Sequence, residues 1–145
     1  MLTEVKTDSH HYFVDEKWMF QGEYKIYHEN GKLYVHTCHA DDKINGEYKS
    51  YFRNGVMWEH VLYQNGVAHG EFKSYHGNGE LNKHAFYQNG ILHGEYRKYH
   101  NNGDNYVTTI YYQGKNLNIN PDTLTKQDKL YIMLCGRLPP RDSSC

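Results

Sequence analysis

The side chains of this chain that could do chemistry are its 11 histidines, its three cysteines and a recurrent Glu-x-Lys/Arg-x-Tyr triplet. His36, His60 and His84 stand at one spacing, as ligands of a repeated metal site would. If each lies on its own hairpin, neighbours in the series are two strands apart, roughly 9–10 Å. Ligands held about 2.0–2.1 Å from one zinc ion cannot span that distance. A metal site would have to mix series, such as His36 with His69 or His93. The reading is therefore no metal ligand. The imidazoles are expected to stack on Tyr34 and Trp58 and to hydrogen-bond across strands. Cys38 beside His36 and His39 suggests an activated nucleophile. Side chains at i and i+2 on a strand stand about 6–7 Å apart, however, and no third group orients the pair. No catalytic residue, enzyme activity or cofactor is expected. The Glu-x-Lys/Arg-x-Tyr series reads as a solvated face, with Glu47 reaching Lys73 and Glu71 reaching Arg97 across the array. Such exposed pairs contribute little.

The spacing itself names the elements that carry these residues. Gly22-Glu23-Tyr24 returns as Gly46-Glu47-Tyr48, Gly70-Glu71-Phe72 and Gly94-Glu95-Tyr96. Tyr27 returns as Tyr51, Tyr75 and Tyr99. Asn30-Gly31 returns at Gly55, Gly79 and Gly103, and a second turn, Gln64-Asn65-Gly66, returns at Gly90 and in degraded form at Gly114. A fixed period of this size means stacked copies of one supersecondary unit. Each copy has two extended runs rich in aromatic and β-branched residues, and Asn-Gly between them favours positive φ and a tight hairpin. Gly or Asn-Gly interrupts every apolar run before a helical period can establish itself. The expected fold is mainly β: a single twisted antiparallel repeat sheet, a hairpin meander of about nine strands, with a short C-terminal capping α-helix.

The organisation along the chain follows. Residues 1–10 are polar and read as a flexible N-terminus. Residues 11–118 form the repeat domain: a half-repeat at 11–21, in which Val14 takes the place of Cys38, Leu62, Phe86 and Ile110, and full repeats at 22–45, 46–69, 70–93 and 94–117. Residues 119–145 hold the capping helix and tail. Thr125 with Asp128 resembles a capping box, and Gly136 sits where a helix-ending glycine belongs. Leu130, Met133 and Leu134 are expected on the inner side of that helix, and the chain after Pro139-Pro140 is expected to be loose.

Large rings mark the candidate binding surface. Tyr24, Tyr48, Phe72 and Tyr96 from first strands, with Tyr34, Trp58 and Tyr106 from second strands, read as one aromatic strip. Either this strip is the core, closed by the C-terminal helix, or it is a protein-binding groove. Tyr and Trp make interface hot spots. One short helix cannot cover a sheet of about 40 Å, so rings are left exposed or buried by a second chain.

The unit Gly-Glu-Tyr-Lys-x-Tyr-x-x-Asn-Gly, with Tyr-x-Asn-Gly and then His-Gly, resembles a MORN repeat (membrane occupation and recognition nexus), in the variant form of many bacterial proteins and some large DNA viruses. The resemblance covers about two-thirds of the chain. It implies a twisted sheet curling into a concave aromatic groove that binds rather than catalyses, by self-association, by docking a partner or by touching lipid. Some bacterial members are antitoxins. The fourth copy departs from the pattern: Asn105 stands where Leu81 does, Thr108 where His84 does and Gln113 where Asn89 does. That fits a terminal, capping repeat.

Bulk composition narrows the partners. A net charge of −1 leaves no electrostatic footprint for nucleic acid, and membrane contact is disfavoured. No apolar run approaches a membrane span, and Met1 to His10 has no apolar core of a secretory signal. Three sparse cysteines suggest a reducing compartment and a cytoplasmic location, the host cytoplasm for a viral protein. The expected function is a protein-interaction scaffold whose partners include a second copy of itself as a homodimer. The alternative is an antitoxin-like inhibitor of one toxin, and a peripheral lipid binder ranks third.

Overall fold

In the computed structural model, which describes residues 1–140, the aromatic and β-branched runs pair into one antiparallel sheet of twelve strands. The strands are β1 Thr3–Lys6, β2 His10–Val14, β3 Phe20–Tyr27, β4 Leu33–Ala40, β5 Lys43–Tyr51, β6 Met57–Gln64, β7 Val67–Tyr75, β8 Leu81–Gln88, β9 Ile91–Leu92, β10 Gly94–Tyr99, β11 Asn105–Tyr112 and β12 Lys115–Asn116. Sequence neighbours are sheet neighbours throughout, except that β8 pairs with both β9 and β10. A 3-10 helix at Pro121–Thr123 and helix α1, Lys126–Cys135, follow.

Two kinds of Asn-Gly turn drive the reversals, and they differ in geometry. Between β5 and β6 the Phe52 N–H donates to Val56 O (2.8 Å) and Gly55 N–H donates to Phe52 O (2.9 Å). Only the glycine is left-handed, with φ +89°. This is a three-residue loop whose last residue must take positive φ. Asn54 is freed for other work: its Oδ1 accepts from Val56 N–H (3.0 Å) and its Nδ2 donates to Gly77 O of the next repeat (3.0 Å). Asn30 and Asn78 make the same forward link, to Arg53 O and Asn101 O. In the second kind both residues are left-handed, as at Asn65 (φ 51°) and Gly66 (φ 80°). There Gly66 N–H donates backward to Ile44 O of the preceding repeat at 2.7 Å.

Three expectations change. The nine strands become twelve because β1, β9 and β12 also pair. The N-terminal ten residues, read as flexible, hold β1, which pairs with β2 from Thr3↔Val14 to Lys6↔His11. The half-repeat is out of step by one residue. Val14 pairs with Phe20 as His39 pairs with Ile44 and Tyr63 with Ala68, so Val14 corresponds to His39 and Tyr63. The β2–β3 connection holds one residue more than its counterparts, and its Trp18 adopts φ 62°. A one-residue slip moves a side chain to the other face of a sheet.

Helix α1 forms as its caps dictate. Thr125 Oγ1 accepts from Asp128 N–H, the Asp128 carboxylate accepts from Thr125 N–H, and Gly136 closes the helix at φ 68°. The inner residue, however, is Ile132, fully buried, while Leu130 (61% exposed) and Leu134 (71%) point outward. Polar anchors select that face. Lys129 Nζ reaches Glu95 at 2.7 Å, and Arg97 holds Asp122 through two hydrogen bonds of 2.6 and 3.0 Å. Gly136 lies so close to the Tyr112 ring that a Cβ would come within 2.6 Å of it. The tail expected after Pro139-Pro140 lies outside the described residues.

Candidate functional site

Register sorts the side chains into two faces, because directly paired residues in antiparallel strands project to the same side. Tyr48 pairs with Thr37 and Val61, Ser50 with Val35 and Glu59, Phe72 with Val61 and Ala85, and Tyr96 with Thr109. These residues share one face, and Val35, Thr37, Ser50, Val61, Phe72, Ser74, Ala85 and Thr109 are all buried there. Among the described residues no helix covers them; the larger rings beside them do, and a cavity opens on this side, which makes it the concave face: a floor of small residues between rings.

The rings are Tyr48, Tyr63, Tyr87 and Tyr96, packed around Val61, Phe72 and Ala85. Tyr48 and Tyr63 meet edge to face at 6.1 Å, as do Phe72 and Tyr87 at 5.9 Å. Such pairs contribute beyond their buried area. Between them opens a cavity of about 330 Å³, lined by Tyr48, Glu59, Val61, Tyr63, Ala68, Phe72 and Tyr87. Burial, and next the Glu59 carboxylate, push the Tyr48 hydroxyl pKa up. Burial also raises Tyr87, with Tyr96, Tyr63 and Glu59 adding to it. At the N-terminal end His39 lies against Phe20 and Tyr24, and burial lowers its pKa against the opposing charge of Asp42.

The opposite face carries the Glu-Lys-His chemistry. Glu47 meets Lys49 at 3.0 Å on its own strand and His60 at 3.2 Å across the pair. Glu71 meets Lys73 at 3.2 Å and His84 at 2.7 Å. Glu23 meets Lys25 at 3.0 Å, while His36 approaches it at 3.4 Å without hydrogen-bond geometry. The expected pairs of Glu47 with Lys73 and Glu71 with Arg97 give way to these, because i and i+2 lie closer on one strand than equivalent residues two strands apart. Hydrogen bonds from Lys25 and Lys49, and from His84 for Glu71, hold these carboxyls below their ordinary pKa. In the fourth repeat Thr108 replaces the histidine and α1 packs on this face instead. Burial opposes ionisation of Glu95 there, yet Lys129 and Arg97 keep its pKa low.

The seven rings assigned to one strip therefore divide. Tyr24, Tyr48, Phe72 and Tyr96 line the groove. Trp58 alternates with His60 and Leu62, which pair with Lys49 and Glu47, so it projects to the charged face. Tyr34 and Tyr106 occupy the same place in their hairpins. There the rings meet beside the turns: Phe52 stacks on Trp58 at 5.4 Å and His100 on Tyr106 at 4.2 Å, while His28 lies tilted against Tyr34 at 4.7 Å. Tyr63, Tyr87 and Glu59 also line the groove, and none of them belongs to the aromatic strip expected from the sequence. The signal for the two tyrosines is their 24-residue recurrence near the end of the second strand of each hairpin. Gly31, Gly55, Gly79, Gly103, Gly66 and Gly90 all take positive φ at turns. Among the described residues no group of three or more His, Cys, Asp or Glu is placed to hold a metal ion. Among the described residues no helix is long and apolar enough to cross a membrane.

Comparison with known families agrees with this architecture. A family model described as MORN repeat variant matches residues 20–41, 44–65 and 68–89. Each match spans one hairpin: β3–β4, β5–β6 and β7–β8. No curated protein matches the chain.

Proposed function

Given that residues 20–89 are three consecutive variant MORN repeats, a kind of repeat generally associated with protein or membrane-lipid interactions, we propose that the protein is a non-enzymatic interaction scaffold whose concave face takes a segment of a protein partner, a second copy of the chain included. One observation carries this reading. Helix α1 packs on the face of Glu95 and Arg97, so the groove of Tyr48, Tyr63, Phe72 and Tyr87 is left open. Aromatic rings at the centre of a concave surface are the usual anchors of binding energy.

The test combines light scattering over a concentration series with capture of protein partners, on wild type, Tyr87→Ala and Trp58→Ala. Tyr87→Ala is expected to weaken association about tenfold or more, as loss of an anchor does. Trp58→Ala, on the other face, is expected to leave it unchanged. A Tyr87→Ala protein that self-associates and captures partners as well as wild type would refute the reading.

A further inference from the structure

Glu59 is out of character with its surroundings. It lies half-buried on the concave face, in the cavity between Tyr48, Tyr63 and Tyr87. Its cross-strand neighbours are Ser50 and Ser74, both buried and uncharged. Among the described residues its carboxylate forms no hydrogen bond or ion pair, in contrast to Glu23, Glu47, Glu71 and Glu95, each of which holds a lysine, arginine or histidine. Ser50 Oγ, directly opposite, is buried and turns to the Tyr48 side chain rather than to Glu59. Lys83, on the same face two strands away, does not fill the gap: its Nζ sits 5.2 Å over the Phe72 ring instead. That contact shows the wall accepting a cation on an aromatic face.

An unpaired carboxylate in a cavity lined by aromatic rings is the chemistry that receives a cation. We propose that Glu59 with Tyr48, Tyr63 and Tyr87 forms a cage for an arginine side chain of the protein segment that docks in the groove. This rests on the groove being the binding face. Arginine fits better than lysine because its planar, weakly hydrated head group stacks on rings and donates to a carboxylate in one plane. Lys83 and Lys98, which pair with each other across β8 and β10, give the groove a positive side toward the C-terminus. The arginine is therefore followed in that direction by neutral or acidic residues of the partner.

The probe is a fluorescein-labelled Gly-Ser-Arg-Gly-Ser-Arg peptide, compared with its Gln-for-Arg counterpart by fluorescence polarisation at low salt. Wild type is expected to prefer the arginine peptide about tenfold or more. Glu59→Gln, which keeps the side-chain shape, erases the preference; Lys83→Met strengthens it; Glu47→Gln, on the charged face, leaves it unchanged. Circular dichroism of each variant checks that the sheet is intact, and Glu59→Ala must behave as Glu59→Gln does. No arginine preference in wild type, or an equal loss in Glu47→Gln, overturns the cage. If Tyr87→Ala still weakens association in that case, the groove reading survives; if it does not, both fall.

Discussion

Ile132→Ala measures how α1 is held. Ile132 is the one α1 side chain with no exposure, and Ile110 beneath the helix is 1% exposed. Truncating a fully buried isoleucine to alanine costs about 2–5 kcal/mol, more where the void cannot close. Here a mainly apolar crevice of about 340 Å³ lined by Gly94, Glu95, Ile110, Lys129, Leu130 and Met133 already lies under the helix, which favours local collapse and the lower half of that range. Alanine returns a few tenths of a kcal/mol as the better helix former. The expected loss is about 2–3 kcal/mol. Leu134→Ala, at 71% exposure, is expected to change stability by no more than about 0.5 kcal/mol. Urea denaturation followed by far-UV circular dichroism reads both, with the m value checking that one transition is compared with another. Equal losses in the two variants, or an Ile132→Ala loss below about 1 kcal/mol, would refute the assignment of Ile132 as the inner residue.

Two further outcomes are expected. Gly55 has φ +89° with open space around its α-carbon, whereas Gly77 is equally open and has no positive φ; Gly55→Ala should cost about 1–2 kcal/mol of backbone strain in a thermal melt, and Gly77→Ala should be neutral or stabilise by up to about 1 kcal/mol. Acid should destabilise in two stages, because a pKa lowered in the folded state means that the folded chain binds fewer protons and loses stability as pH falls. His39, lowered by burial, gives a first loss starting near its unfolded value of about 6.5, and Glu23, Glu47, Glu71 and Asp122 give a second below about pH 4. Urea midpoints against pH check this, with His39→Gln expected to remove the first stage and Asp122→Asn to soften the second.

What the sequence disclosed was whatever local chemistry alone decides. The 24-residue period, both Asn-Gly turns, and the Thr125–Asp128 and Gly136 caps all lie within a few residues of the feature that they specify. What it withheld depends on register or on docking. Tyr48 and Trp58 look alike as aromatic positions, yet a three-residue loop and the register shift between Ser50 and Tyr51 put them on opposite faces. Val14 is displaced by a single extra residue in the turn before Phe20. For α1, Leu130 and Leu134 make as good an apolar stripe as Ile132 and Met133 do, and only Glu95 and Asp122, distant in sequence or held by Arg97, decide which side meets the sheet. Glu59 escaped notice because its significance lies in the partner that it lacks.

The forward links made by Asn30, Asn54 and Asn78 have a consequence for how such a chain can change over generations. Each joins one turn only to the next, so a duplication or deletion of one whole 24-residue unit leaves every remaining amide with a carbonyl to hold. Copy number then works as a ruler. Each added hairpin extends the groove by about 9–10 Å, while β1 and α1 stay at the ends as fixed stops. The reach of the binding surface can lengthen in discrete steps without any change to the residues that line it.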